Sequence, residues 1–210
     1  LDRLGTMKAK INLRWILLVP LLAPFFVPVQ LQADGPYQPT WESLATYPIP
    51  DWFQDGKFGI YTHWGIYSVP AHVTEWYPHG MYMKEGFRNK DFYGWHTEHF
   101  GPPDKFGYKD FLPQFTGEKF DADDWAELFQ QAGAKFAGPC AEHHDGFAMW
   151  DSALTEWDAA DKGPRVDVTG KLAEAIKRRG MKFLATFHHA RNWQYYPHEG
   201  DFDTNDPKYA

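Results

Sequence analysis

The sequence predicts an α/β domain built on parallel strands. Three apolar runs are predicted as strands, at 57–63, 134–141 and 182–188, and each carries Lys-Phe at its start and meets histidine at its end. Apolar runs with little alternation are typical of a parallel sheet that is covered on both faces. Helical patterns precede the second and third runs. The order is therefore β, a long excursion, α, β, loop, α, β, which is a βα repeat.

Two helices are predicted from their caps and apolar spacing. The first begins at Asp121 and stops at Gly133, and the second begins at Asp167 and stops at Gly180. Aspartate is a favoured N-cap, and glycine commonly follows a helix end. Each helix has one predicted apolar face, made by Trp125, Leu128, Phe129 and Ala132 in the first and by Val168, Leu172 and Ile176 in the second.

The excursion between the first strand and the first helix, 65–120, is too long for a simple βα loop. It contains Glu75-Trp76-Tyr77 and is dense in Gly, Pro and aromatic residues. We expect a small helix near 91–99. Long loops of this kind often carry binding or catalytic residues, so the excursion is predicted to lie above the strand ends.

Four chemically active side chains follow the second strand directly. The stretch AKFAGPCAEHHDGFAMW, 134–150, delivers Glu142, His143, His144 and Asp145 side by side. Ionisable and coordinating groups where a buried parallel strand ends are typical of an active site at the carboxyl edge of the sheet. The competing interpretation is that these are ordinary polar residues at a strand exit.

Composition narrows the class of protein. The chain has 210 residues, enough for one good-sized core, and a formal net charge of −7, which argues against nucleic acid as the main partner. Aromatic residues make up 18% of the chain; such rings build cores and also stack on sugars. The single cysteine, Cys140, excludes an intrachain disulfide and lies in the second strand, where packing is its expected role.

The first 33 residues have the pattern of a leader. Basic residues after Met7 precede an apolar run that ends in small residues before Asp34. This layout predicts a signal peptide from about Met7 to Ala33, a secreted or periplasmic protein, and no stable membrane insertion after cleavage. The predicted organisation is 1–33 as upstream residues plus signal peptide, 34–47 as a linker, and 48–210 as a partial catalytic domain.

Several motifs together resemble glycoside hydrolase family 29, the α-L-fucosidases. They are KFGIYTHWGIYSVPAHVTEWY at 57–77, EHHDGFAMWDS at 142–152 and Asp-Val-Thr-Gly at 167–170. The resemblance implies a (β/α)8-type barrel. A complete barrel takes about 250 residues. We therefore expect this chain to be its truncated N-terminal portion, with about three strand-helix units.

The resemblance also implies site residues and a substrate. His63, Glu75, Trp76, His143 and His144 match residues that bind fucose, and no cofactor or metal is implied. The expected reaction is retaining hydrolysis of terminal α-L-fucose from a fucosylated oligosaccharide or glycoconjugate. Histidine and glutamate can bind hydroxyls, and tryptophan can cover the apolar edge of a pyranose.

The catalytic carboxyl groups are not assigned. Retaining hydrolysis needs two of them about 5–5.5 Å apart. The resemblance implies a nucleophile in a later Trp-x-Asp-type motif, so we expect the nucleophile and the acid/base beyond Ala210. The spacing of the acidic residues at hand selects no catalytic pair, and most are predicted caps or solvated loop residues: Glu142, Asp145, Asp151, Glu156 and Asp158.

Two other functions remain open at the level of sequence. One is a metal-dependent hydrolase on a barrel, with a divalent ion held by His63, His143, His144 and His188. The other is a non-catalytic carbohydrate-binding relative. His188 and His189, with Arg191 and Trp193, are predicted to line the far side of the same opening, or simply its rim. Oligomeric state is not predicted.

Overall fold

The computed structural model describes residues 35–188, which fall into two compact units, 35–48 and 49–188. The shorter unit contains α1 (Trp41–Leu44), where the Thr40 side chain accepts a hydrogen bond from the backbone N–H of Ser43. The predicted leader lies outside the described residues, and the predicted domain boundaries stay predictions. No helix within 35–188 is long and apolar enough to cross a membrane.

The second unit has helices and strands in the predicted order. The excursion after the first strand contains two α-helices and two 3₁₀ segments, at 66–68 and 108–114. The helices and strands are α2 (Asp51–Gly56), β1 (Gly59–Thr62), α3 (Tyr77–Gly80), α4 (Phe92–Phe100), α5 (Ala122–Gln131), β2 (Phe136–Glu142), α6 (Val168–Arg178), β3 (Lys182–Phe183) and β4 (Thr186–Phe187).

All strand pairs of the sheet are parallel. β1 and β3 flank β2, and β4 continues along β2 beyond β3. The register aligns Gly59 with Phe136 and Phe136 with Lys182, so the carboxyl ends of the strands lie at one edge. The prediction of an α/β fold with a parallel sheet is confirmed.

The third predicted strand is divided, whereas the sequence predicted one run over 182–188. The pairing of β2 shifts register between Cys140 and Glu142, so β4 cannot continue the ladder of β3 regularly. The backbones also approach closely, since a Cβ at Gly138 would lie 1.7 Å from the carbonyl oxygen of Leu184. Glycine is therefore required at position 138.

α5 begins and ends as predicted, but its apolar face is different. The Asp121 carboxylate accepts from the backbone N–H groups of residues 123 and 124, and Gly133 follows the helix at φ +88°. Ala126 and Phe129 are buried, whereas Leu128 is 63% exposed. The prediction for Leu128 is wrong because that position lies roughly 100° around the helix from Phe129. The prediction for Ala132 is also wrong, because this residue follows the end of the helix and is exposed.

α6 agrees with its prediction throughout. The Asp167 carboxylate accepts from the Gly170 N–H at 2.7 Å, and Gly180 follows the helix at φ +75°. The helix buries one continuous face, consisting of Val168, Leu172, Ala175 and Ile176. This face packs into the same core as Ala137 of β2 and Phe129 of α5.

The excursion is a packed subdomain rather than an open loop. Its core is made of fully buried side chains from α3, α4 and the second 3₁₀ segment: Tyr77, Met81, Phe92, Tyr108 and Phe111. His96 is also buried, with Nδ1 2.6 Å from the Tyr77 hydroxyl and Nε2 2.8 Å from the Phe106 carbonyl oxygen. The helix predicted near 91–99 is confirmed as α4.

Candidate active site

The carboxyl ends of the strands bring four histidines together. His63 follows β1, His143 and His144 follow β2, and His188 follows β4. The ring centroids of His143 and His188 are 4.6 Å apart, and those of His63 and His143 are 5.5 Å apart. The parallel register accounts for this convergence, because each strand places its last residues at the same edge of the sheet.

A turn directly after β2 lets the two adjacent histidines share one side of the chain. Neighbouring side chains on a regular strand point to opposite faces. Here the Gly146 N–H donates to the His143 carbonyl oxygen at 3.0 Å, and Gly146 has φ +67°. The rings of His143 and His144 are consequently 4.8 Å apart, and both side chains are buried.

The buried side chain of Asp145 stabilises this turn through hydrogen bonds. Its carboxylate accepts from the Tyr108 hydroxyl at 2.7 Å and from the Phe147 N–H at 3.2 Å, and the residue is only 2% exposed. Burial raises the pKa of Asp145 to about 6, although both hydrogen bonds favour the charged form. These contacts make Asp145 a positioning residue for the paired histidines.

His143 is the most enclosed ring of the group. Burial, together with the neighbouring histidines 188, 144 and 63, lowers its pKa to about 3. The imidazole is therefore neutral at physiological pH, and it can offer one donor and one acceptor. Its Nδ1 is buried and has no hydrogen-bond partner among residues 35–188.

Glu75 lines a cleft of about 320 Å³ that also includes His63 and Tyr67. Burial acts to raise the pKa of Glu75. The Thr74 hydroxyl donates a hydrogen bond to the Glu75 carboxylate. This bond, the bond from the Glu75 backbone N–H and electrostatic interactions with His63 and His143 together outweigh the effect of burial. The pKa of Glu75 therefore lies below its ordinary value, which leaves an ionised acceptor beside the histidines.

Trp76 forms a wall against the paired histidines. Its ring centroid is 5.1 Å from that of His144 and 6.2 Å from that of His143. The Arg88 guanidinium lies 4.0 Å from the Trp76 ring centroid, so a cation–π contact holds the indole in place. All five predicted site residues thus belong to one region at the strand ends.

Two tyrosines contribute to this region that sequence reasoning did not assign. The Tyr61 hydroxyl lies 3.1 Å from Nε2 of His63 and 2.9 Å from Nε2 of His188. Tyr67 is buried with its ring 5.6 Å from that of His143, and burial, followed by the charge of Asp145, raises its pKa far above the ordinary value. The i, i+2 spacing of Tyr61 and His63 on one strand face was the available signal.

Three of the four histidines of the metal hypothesis have ligand atoms close to one another. One ring nitrogen each from His63, His143 and His188 lies within 4.8 Å of the other two. His144, the fourth predicted ligand, is not part of this group. His189, Arg191 and Trp193 lie outside the described residues.

A larger cavity, of about 560 Å³, lies elsewhere and contains none of these histidines. Its walls include an aromatic cluster, Trp64, Phe115, Phe120 and Trp125. Among residues 35–188, the charged side chains that line it are Glu118 and Lys119. Size alone favours this cavity, but converging polar groups favour the histidine region as the reactive site.

Comparison with known proteins shows the family of this chain. The family model described as Alpha-L-fucosidase matches residues 25–210. The chain belongs to the α-L-fucosidase family. The tissue alpha-L-fucosidase of Mus musculus is 39% identical over 158 residues, which are 75% of this chain and 34% of that protein. The tissue alpha-L-fucosidase of Homo sapiens is 37% identical over 158 residues, 75% of this chain and 33% of that protein.

Solved α-L-fucosidase structures share the fold. The crystal structure of Thermotoga maritima alpha-fucosidase in complex with fucose gives a TM-score of 0.70 at 34% identity, covering 82% of this chain and 44% of that one. Alpha-L-fucosidase isoenzyme 1 from Paenibacillus thiaminolyticus gives 0.55 at 28% identity, covering 72% and 31%. The chain spans about a third of the length of the curated relatives it matches.

Proposed function

We propose that the full-length protein is a retaining exo-α-L-fucosidase that removes terminal fucose from glycans or glycoconjugates. The observation that carries the proposal is the convergence of His63, His143 and His144 at one edge of a parallel sheet in a member of this family. The described residues then form the first part of a (β/α)8-type barrel, whose strand ends surround the sugar.

Each side chain has a role that suits a neutral deoxysugar. His63, His143 and His144 offer ring nitrogens to the hydroxyls, and ionised Glu75 accepts from them. Trp76 provides an apolar wall for the methyl-bearing edge of the ring, held in place by Arg88. These groups bind and orient fucose.

The proposal does not use Asp145 as a catalytic carboxyl group. Both of its oxygens accept hydrogen bonds from the protein interior, and its side chain is buried. A nucleophile must reach the anomeric carbon, about 5–5.5 Å from the partner acid/base. In this proposal both groups belong to another part of the catalytic domain of the full-length protein.

Hydrolysis of 4-nitrophenyl α-L-fucoside by the full-length protein tests the proposal. We expect turnover in the wild type and a fall in kcat/KM of about 100-fold in His143→Ala, because a buried sugar hydroxyl loses its partner. His99→Ala, at an exposed position on α4, is the matched control and is expected to retain wild-type activity.

Two outcomes would overturn the proposal. One is the absence of fucoside hydrolysis with retained binding of L-fucose, which would favour the non-catalytic carbohydrate-binding relative. The other is hydrolysis that persists in His143→Ala at the wild-type rate, which would place the sugar elsewhere. The β-anomeric fucoside serves as the substrate control, since a retaining α-fucosidase is expected to leave it intact.

We also propose that the protein is exported, because residues 7–33 have the basic and then apolar pattern of a signal peptide. The sequence alone supports this proposal. N-terminal sequencing of the mature protein is expected to start near Asp34. A mature protein that still begins at Met7 would contradict it.

A further inference from the structure

The three-histidine group has the composition of a site for Zn²⁺ or another divalent transition-metal ion. His63, His143 and His188 come from three different strand ends, and one nitrogen of each lies within 4.8 Å of the others. Imidazole nitrogens bind Zn²⁺ at about 2.0–2.1 Å, so two such ligands on a tetrahedral ion are about 3.4 Å apart. Even the most distant pair therefore needs to approach by only about 1.4 Å.

The required movement falls on the side chains that are free to make it. His143 is buried at 3% exposure, whereas His63 is exposed and His188 is half-buried. Small rotations of the two outer rings can close the triangle around the fixed inner one. The unpartnered Nδ1 shows that the His143 ring is not fully satisfied by residues 35–188, so a ligand there need not displace an existing bond at that atom.

The surroundings also suit a cation. Glu75 interacts electrostatically with His63 and His143, so a negative charge lies beside the group. The Tyr61 hydroxyl contacts both His63 and His188 and can act as their outer-shell partner. Metal-bound histidines are usually oriented by such a second hydrogen bond.

We propose that Zn²⁺, or a similar imidazole-binding divalent transition-metal ion, binds His63, His143 and His188 and excludes the sugar while it is bound. The binding of the ion stands on the geometry of the three rings alone. Its competition with fucose rests on the proposed function, since two of the three ligands, His63 and His143, are also proposed fucose-binding residues. Three protein ligands leave the fourth tetrahedral position to solvent.

Titration calorimetry with ZnCl₂ on the chelator-treated full-length protein tests the metal site directly. We expect one ion per chain, with Mg²⁺ giving no heat because hard ions prefer oxygen ligands. His63→Gln and His188→Gln should each weaken Zn²⁺ binding more than about tenfold, and Tyr61→Phe by about tenfold as an outer-shell change. Both histidine positions are solvent-accessible, so these variants are expected to fold.

His144→Gln is the discriminating control. It should weaken fucose binding but keep the wild-type affinity for Zn²⁺, because His144 is outside the three-histidine group. His99→Gln should change neither. No detectable Zn²⁺ binding, or binding that survives both ligand substitutions unchanged, would overturn the metal site.

Fucose titrations at increasing Zn²⁺ separate the two proposals. We expect the apparent Kd for L-fucose to rise linearly with the free Zn²⁺ concentration, and Zn²⁺ to raise KM for the aryl fucoside without changing kcat. Zn²⁺ binding with no fucose binding would reject the proposed function and leave the metal site intact. Unchanged fucose affinity at saturating Zn²⁺ would reject the competition.

Discussion

The segments that follow β1 and β2 both supply site histidines, but the protein holds them in opposite ways. After β1, His63 is exposed, and its hydrogen bond is to the side chain of Tyr61. After β2, His143 and His144 are buried above Asp145, which is tied to Tyr108 in the excursion. A substitution at His63 should therefore weaken sugar binding with little loss of stability, whereas substitutions around Asp145 should affect both.

Removing Asp145 is expected to have the largest effect on stability. Asp145→Ala leaves the Tyr108 O–H and the Phe147 N–H buried without acceptors, and each unsatisfied group costs about 1–3 kcal/mol. We expect the free energy of unfolding of the full-length protein to fall by about 2–6 kcal/mol in a denaturant titration. A loss below about 1 kcal/mol would mean that the turn is held by other contacts.

Tyr108→Phe removes the same connection from its other end and is expected to have a smaller effect. The Asp145 carboxylate keeps its bond from the Phe147 N–H but loses the one from the hydroxyl, at a cost of about 1–3 kcal/mol. The same denaturant titration measures it. The loss in the double variant with Asp145→Ala should be smaller than the sum of the two single losses, because both changes break one hydrogen bond. Strictly additive losses would contradict the contact.

Asp145 and His143, which both follow β2, should contribute to the free energy of unfolding with opposite dependences on pH. The raised pKa of Asp145 gives stability that is lost as pH rises from about 4 to about 6, because the folded state binds the extra proton. The lowered pKa of His143 acts in the opposite direction, since its stability is lost as pH falls from 6.5 towards 3. Between pH 4 and 6 the two contributions cancel.

Asp145→Asn removes the contribution of Asp145 and should therefore reveal the contribution of His143. Its free energy of unfolding should rise with pH, relative to the wild type, by up to about 1.4 kcal/mol per unit between pH 4 and 6. Denaturant titrations at several pH values, with chelator present, measure the slope. Asp104→Asn, at an exposed position, is the control. If the free energy of unfolding changed with pH equally in Asp145→Asn and in the wild type, the two opposite contributions would be excluded.

His63→Gln is expected to have the smallest effect on stability, under about 0.5 kcal/mol, because the side chain is exposed. Its effect should instead appear as weaker fucose binding, measured by calorimetry on the full-length protein. Loss of stability comparable to that of Tyr108→Phe would remove the contrast between the two segments.

Local patterns in the sequence predict the elements well but not their long-range contacts. The caps at Asp121 and Asp167 and the strand runs act within a few residues, and the structure has them in place. Leu128 was misassigned because spacing alone does not show which side of α5 meets the sheet. The division of the third strand depends on Leu184 approaching Gly138, 46 positions earlier in the numbering, and no local rule encodes it.

The same distinction applies to the site. The histidines could be predicted because parallel strands end at one edge, whatever the details of packing. The role of Asp145 could not, since its partner Tyr108 is 37 residues away in the excursion. The family resemblance named five site residues, and the structure brings them together, while their contact with fucose stays a prediction. Tyr61 and Tyr67 emerged only from the packed structure.

The phenol of Tyr61 links the proton positions of two rings on different strands. A single O–H can donate to only one nitrogen, so when both imidazoles are neutral, one of His63 and His188 must carry its proton on Nε2 and the other on Nδ1. The free nitrogens of the two rings are then opposite in character, one accepting and one donating. Rotation of the Tyr61 hydroxyl towards the other ring requires a proton to move between the two nitrogens of each imidazole, so the tautomers of the two histidines are expected to change together.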